Sequence, residues 1–352
     1  MRAAAIQFFA TPFDLTRNLE TAGRLARAAA EQGAQIIVLP ELFNTGYVYT
    51  PRLLAFAETE NGLTLRHLRR WSAELNVYLA GPLLLREDEH IFNVFALVGP
   101  DGKVHKYRKQ NPFLWERCYF EAGREPLVIE TGLGRIGLMT CWDIARRDIS
   151  EAYRGKVDAL LIASAPPRFH RAVLNFPLGK KVYLAQLMPA LLRDRDVMDD
   201  WYLNEVAALA DWLDVPIVHA VMAGRFVTEV PFPRLSFLAA AITRPRLWPL
   251  AASAHLASLR ATFYGTSAIF SARGETLARV ESEEGITVDA GARRERGGHH
   301  GGRHFTRQPA RPCTPVPETL RLFPPESAGP IAGDGMADEA GGERVLSAAQ
   351  HV

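Results

Sequence analysis

Short apolar runs and amphipathic stripes take turns along this chain. "RAAAIQF", near the amino end, is the continuous apolar run of a strand buried on both faces. "NLETAGRLARAAAEQG" then puts Leu19, Ala22, Leu25, Ala26 and Ala29 on one helical face and stops at Gly33. "AQIIVLPE" predicts a second buried strand ending in Pro40 and Glu41. Further on, "VYLAGPLLL" and "FNVFALVGPDGKVHKYRK" read as two strands or a hairpin turned at Asp101 and Gly102. "GRIGLMTC" and "VDALLIAS" are two more apolar runs, and residues 143–156 between them predict one helix. In "DDWYLNEVAALADWLDVPIVHAV" a stripe of Trp201, Val206, Leu209 and Leu213 leads into another strand. Such alternation predicts an α/β sandwich with helices outside.

Three segments break the rhythm. Residues 166–200 and 229–262 are long for connections, so they are expected to act as lids, channel walls or subunit contacts. Neither holds the roughly 18 uninterrupted apolar residues of a membrane span. Residues 291–352 contain 10 Gly and 7 Pro, which predicts a largely flexible tail, part of it available for an oligomer contact. Its "HHGGRH" reads better as a flexible polar tract than as a metal site. The expected organisation is a domain over 1–290 with two insertions, followed by that tail.

Composition narrows the function more than the fold. With 352 residues, 48% of them hydrophobic, the chain can bury a large core. A net charge of +2, from 41 basic and 39 acidic residues, gives no strong overall field for nucleic acid or an acidic membrane. Cys118, Cys141 and Cys313 form no CxxC pair, which argues against a disulfide framework or a zinc site and for a reducing compartment. The amino terminus reaches Pro12 and Asp14 before any signal-length apolar core, so a cytoplasmic location is expected.

Candidate chemistry centres on "GLMTCWDIARRD". Alone, Cys141 reads more readily as a buried core cysteine than as a nucleophile, because free Cys packs like a small hydrophobe. A nucleophile needs a base and a group to hold the oxyanion. Glu41 and Lys109, each at the end of an apolar strand, supply those residue types, although a loop carboxylate and a solvated basic run explain them separately.

"LPELFNTGY", "YRKQNPFLWERCYFEAG", "GRIGLMTCWD" and "FYGTSAIFSARGETLA" resemble, in order and approximate spacing, the motifs of the nitrilase superfamily, the carbon–nitrogen hydrolases. The resemblance covers roughly residues 1–290 and implies a four-layer αββα sandwich. It also implies a Glu-Lys-Cys triad. Glu41 is then the general base, Lys109 the oxyanion holder together with the backbone N–H of Trp142, and Cys141 the nucleophile that forms a thioester or thioimidate. Glu116 matches a second glutamate that orients the lysine and substrate, against the simpler reading of a salt bridge to Arg117 or Arg108. Tyr47 and Trp142 are candidate substrate contacts. No metal or organic cofactor is implied, and the partner is a small-molecule amide or nitrile.

Lys109 and the neighbouring amides are expected to favour the Cys141 thiolate. Departures from the family pattern put the substrate in question. "CWDIARRD" stands where many amidases continue "CYD.RFPE", and "LNEVAAL" replaces the usual "RA.EN". Asp143 leans toward amidases and Trp142 toward nitrilases. Arg146 and Arg147 are candidates for a substrate carboxylate or plain surface charge. The readings carried forward are an amidase, a nitrilase, and a catalytically silent member serving as a binding subunit. A homodimer or higher homo-oligomer is expected.

Overall fold

The computed structural model describes residues 1–187 and 195–289, the backbone alone for 195–199. Its first strands are β1 (Ala3–Gln7), β2 (Ile36–Val38), β3 (Tyr78–Glu87), β4 (His90–Val98) and β5 (Val104–Arg108). There follow β6 (Val128–Thr131), β7 (Gly134–Thr140), β8 (Ala159–Ser164), β9 (Val173–Asn175), β10 (Lys181–Tyr183) and β11 (Ile217–Val221). The last are β12 (Arg225–Thr228), β13 (Ser258–Thr262), β14 (Ala268–Phe270), β15 (Thr276–Arg279) and β16 (Gly285–Asp289). The helices are α1 (Leu15–Glu31), α2 (Leu63–Leu75), α3 (Arg147–Glu151), α4 (Leu184–Leu187), α5 (Arg195–Leu213) and α6 (Pro233–Ala240).

Two six-stranded sheets, ordered β16-β1-β2-β3-β4-β5 and β15-β14-β11-β8-β7-β6, face each other. The pleat explains why their central strands are apolar throughout. Ala3, Ala5, Ile36 and Val38 of the first sheet meet Leu161, Ala163, Val218 and Ala220 of the second in the inter-sheet core. The alternate residues face outward. Ala4, Ile6 and Ile37 pack with Leu19, Ala22, Leu25, Ala26 and Ala29, the predicted stripe of α1, while Leu160 and Ile162 pack with Val206, Leu209 and Leu213 of α5. The result is the expected αββα sandwich.

The structure differs from the sequence reading in three places. From "VYLAGPLLL" on, the hairpin turned at Asp101 and Gly102 is present as β4 and β5, and a further turn at Asp88 and Glu89 joins it to β3, which makes three antiparallel strands where the two-strand reading had two. Residues 143–156 are not one helix. A 3-10 turn, Cys141–Ala145, ends at Arg146 in extended backbone before α3 begins. The two segments expected as insertions share a third sheet, β10-β9-β13-β12, which carries α4 and α6. The tail over 291–352 and its "HHGGRH" lie outside the described residues.

Candidate active site

β2, β3 and β5 run the same way, since β3 pairs parallel with β2 and two antiparallel steps lead on to β5. Glu41 just past β2 and Lys109 directly after β5 therefore reach one edge of the first sheet. The second sheet brings Cys141, directly after β7, to that same end, where the N–H of Ala165 beyond β8 donates to Glu41 Oε2 at 2.9 Å.

Lys109 is fully buried between two carboxylates. Its Nζ donates to Glu41 Oε1 at 2.8 Å and to Glu116, 2.9 Å from Oε1 and 2.7 Å from Oε2. Burial alone would lower its pKa, but the Glu116 and Glu41 carboxylates outweigh that and hold it well above the usual lysine value. Glu41 Oε1 also accepts from Asn93 Nδ2 at 2.8 Å. Glu116 accepts from the Tyr47 hydroxyl at 2.7 Å and from the Phe113 N–H at 2.5 Å, and burial raises its carboxyl above the ordinary range against the pull of Lys109. Of the simpler partners considered for Glu116, Arg108 bonds Glu87 instead.

Cys141 has φ +47°, a left-handed conformation that a side chain adopts rarely and that places it on a sharp strand-to-turn elbow. Asp143 fixes that elbow. Its fully buried carboxylate accepts from the Thr140 N–H at 2.9 Å, the Tyr107 hydroxyl at 2.8 Å and the Asn111 N–H at 2.7 Å, tying the turn to the loop after Lys109. Asp143 thus acts on the backbone and does not line the cavity. Lys109 favours the thiolate, as expected of a neighbouring cation, but it is outweighed. Burial and then the Glu41 carboxylate push the thiol well above its ordinary pKa, and Lys109 opposes this only in part.

Above the sulfur lies a cavity of about 440 Å³. Tyr47 and Trp142 both line it, along with Phe113, Phe169, Tyr202 and Tyr264. The farther wall is Leu174, Phe176, Leu187, Phe237, Ala254 and Leu259, all from the third-sheet region, so both segments contribute to the lining. Among the described residues no Asp, Glu, Lys or Arg lines this space. Arg146 pairs with Asp148 and Arg147 lies over the Trp212 ring at 4.1 Å, so both serve the surface rather than a substrate carboxylate.

Sequence reasoning passed over four polar contributors. Asn93 orients Glu41. The Tyr202 hydroxyl bonds the Cys141 sulfur and lies 3.3 Å from Ser164 Oγ, which is 2.9 Å from His219 Nε2. Burial drives His219 down to about 3, so the ring is neutral. A histidine in the otherwise apolar "PIVHAV" was the available signal for the last of these.

A left-handed cysteine, a buried glutamate and a buried lysine thus come together where the two sheets end. The family model described as Carbon-nitrogen hydrolase matches residues 2–293, and the chain belongs to that family. A protein named nitrilase from Pyrococcus abyssi is 31% identical over 147 residues, 41% of this chain and 56% of that one. The chain thus spans little more than half the length of that relative. Omega-amidase NIT2 of Xenopus tropicalis is 30% identical over 209 residues, 54% of this chain and 74% of that one. An amidase from Nesterenkonia sp. AN1, solved as a mutant in complex with acrylamide, shares the fold with a TM-score of 0.57 at 21% identity, covering 82% of this chain and 89% of that one.

Proposed function

We propose that the protein hydrolyses a small-molecule amide to a carboxylate and ammonia or an amine through a thioester on Cys141. The observation that carries this reading is the Lys109 ammonium held between Glu41 and Glu116 at the end of the sheets that also presents Cys141. Glu41 takes the thiol proton as sulfur attacks the amide carbon, and Lys109 with the Trp142 N–H holds the oxyanion. As the second residue of its turn, Trp142 has no acceptor for that N–H within the turn. The intermediate collapses with loss of the amine, which receives the proton from Glu41. Water, deprotonated by Glu41, then attacks the thioester, and the thiolate leaves and recovers its proton. Glu116 and Tyr47 keep Lys109 in place. A nitrile would take the same sulfur into a thioimidate, a reading supported by the name of the Pyrococcus relative.

We further propose that the acyl group is apolar. A carboxylate in the outer cavity would lose its hydration with no cationic partner among the described residues. Intact mass of the protein after incubation with paired short and bulky amides and the matching nitriles tests both points. An acyl adduct on Cys141, formed faster from bulky amides, is expected. Preference for nitriles, or equal rates for acetamide and its bulky analogues, overturns the respective claim. Two free thiols, Cys118 and Cys141, suit the reducing, cytoplasmic setting expected. A homodimer through the outer layer of α3 and α5 accords with Trp212 and the arginines stacked on it.

A further inference from the structure

Helix α6 is apolar on two faces. Its inner face, Ser236, Phe237 and Ala240, walls the cavity. Its outer face carries Leu235 and Leu238, one turn apart, with Phe232 before the helix and Ile242 just beyond it. All four are exposed, Leu235 by 70% and Ile242 by 68%. Trp248 stands beside them, its indole N–H donating to the Ala241 carbonyl at 3.0 Å, and is itself exposed. Ala239 is both exposed and part of the cavity lining, so this line of apolar groups reaches the cavity mouth.

Charge on the same region leans positive. Residues 166–200 and 229–262 together contain ten Lys or Arg against five Asp or Glu, although the whole chain is nearly neutral. Lys180, Lys181, Arg234, Arg244 and Arg246 are exposed, and none pairs with a carboxylate among the described residues. The net charge had hidden this asymmetry. A second copy docked through the same patch would set this positive excess against itself, because a two-fold interface uses the same surface twice. An anionic lipid surface complements both features: apolar side chains enter the headgroup boundary while arginines meet the phosphates.

We propose that the outer face of α6 docks flat on an anionic lipid surface and opens the cavity mouth toward the lipid. No described helix is long and apolar enough to cross a membrane, so the contact is a surface one. Docking does not depend on the proposed reaction; only the consequence that an apolar amide enters from the lipid rests on that reading.

The test is co-sedimentation of the full chain with vesicles of phosphatidylcholine, with and without phosphatidylglycerol. Binding that requires phosphatidylglycerol and weakens with salt is expected. Leu235→Ser with Ile242→Ser should cut partitioning by about ten-fold or more, since each buried CH₂ contributes to such binding. Arg234→Glu with Arg246→Glu should abolish the preference for phosphatidylglycerol. Both variants should hydrolyse a short water-soluble amide as the parent does, which separates failure of docking from failure of catalysis. Absence of vesicle binding overturns the proposal, including the case in which residues beyond Asp289 cover the patch. Binding unchanged in the variants, or a mass by light scattering that the leucine variant lowers, overturns it as well, the latter by assigning the face to a second copy.

Discussion

The floor and the roof of the cavity are built on opposite terms. On the floor, every carboxylate oxygen of Glu41 and Glu116 is bonded, and Leu42, Leu114 and Cys141 hold left-handed φ angles of 48°, 47° and 47°. Strain of this kind costs about 1–3 kcal/mol per residue and persists only where surroundings over-determine it. The roof has three-residue strands, alanines and prolines, with no ionised group in its lining among the described residues. Chemistry requires fixed atoms, whereas accepting an apolar group requires only shape. Damage to the floor should therefore abolish turnover, and damage to the roof should change which substrate turns over.

The largest break expected is Cys141→Ala, which removes the covalent route and should lower kcat by about 10⁴-fold or more with the fold intact by circular dichroism. Residual turnover near that of the parent sinks the mechanism. Next is Lys109→Ala, with a loss of about 10³-fold in kcat. This variant also leaves two carboxylates buried together, which should cost about 3–5 kcal/mol in denaturant unfolding. Its pH dependence follows from Glu116. A carboxyl whose folded pKa is raised destabilises above that value, so the deficit should shrink as pH falls through it and Glu116 takes a proton. A deficit that grows on acidification contradicts that assignment.

On the roof, Phe237→Ala should leave kcat/KM for a short amide unchanged and lower it roughly ten-fold for a bulky apolar amide, because a buried phenyl contributes about 1.5–3 kcal/mol. Equal losses for both substrates would place Phe237 in the floor's service and erase the contrast between the two walls.

The same contrast decided what the sequence made legible. Strands buried on both faces leave continuous apolar runs, so Ala3 to Gln7 and Ala159 to Ser164 could be read directly. The resemblance located Glu41, Lys109, Glu116 and Cys141, which the fold brings to one edge. The third sheet was not readable, because strands as short as Val173–Asn175 and Lys181–Tyr183 carry no periodicity. The helix expected over 143–156 failed because Asp143 bonds backward to Thr140 and across to Asn111, contacts that no local pattern encodes. Nor could spacing show that burial, with the Glu41 carboxylate, pushes the thiol pKa up against the pull of Lys109.

The smallest effect distinguishes a positioned sulfur from a merely buried one. Tyr202 bonds the Cys141 sulfur, and that bond favours the thiolate while burial and Glu41 oppose it. Tyr202→Phe removes one hydroxyl and should lower kcat about five-fold, near the net contribution of roughly 1 kcal/mol for one hydrogen bond, with KM unchanged. The cleaner readout is alkylation of Cys141 by N-ethylmaleimide in a background of Cys118→Ser with Cys313→Ser, which follows the thiolate fraction. With the thiol raised above its usual value of 9.0, the rate should climb with pH through that value without a plateau. Tyr202→Phe should then slow alkylation further at every pH, because loss of the donor raises the thiol again. A plateau below pH 9.0, or a rate indifferent to Tyr202, would mean that Lys109 governs the sulfur after all.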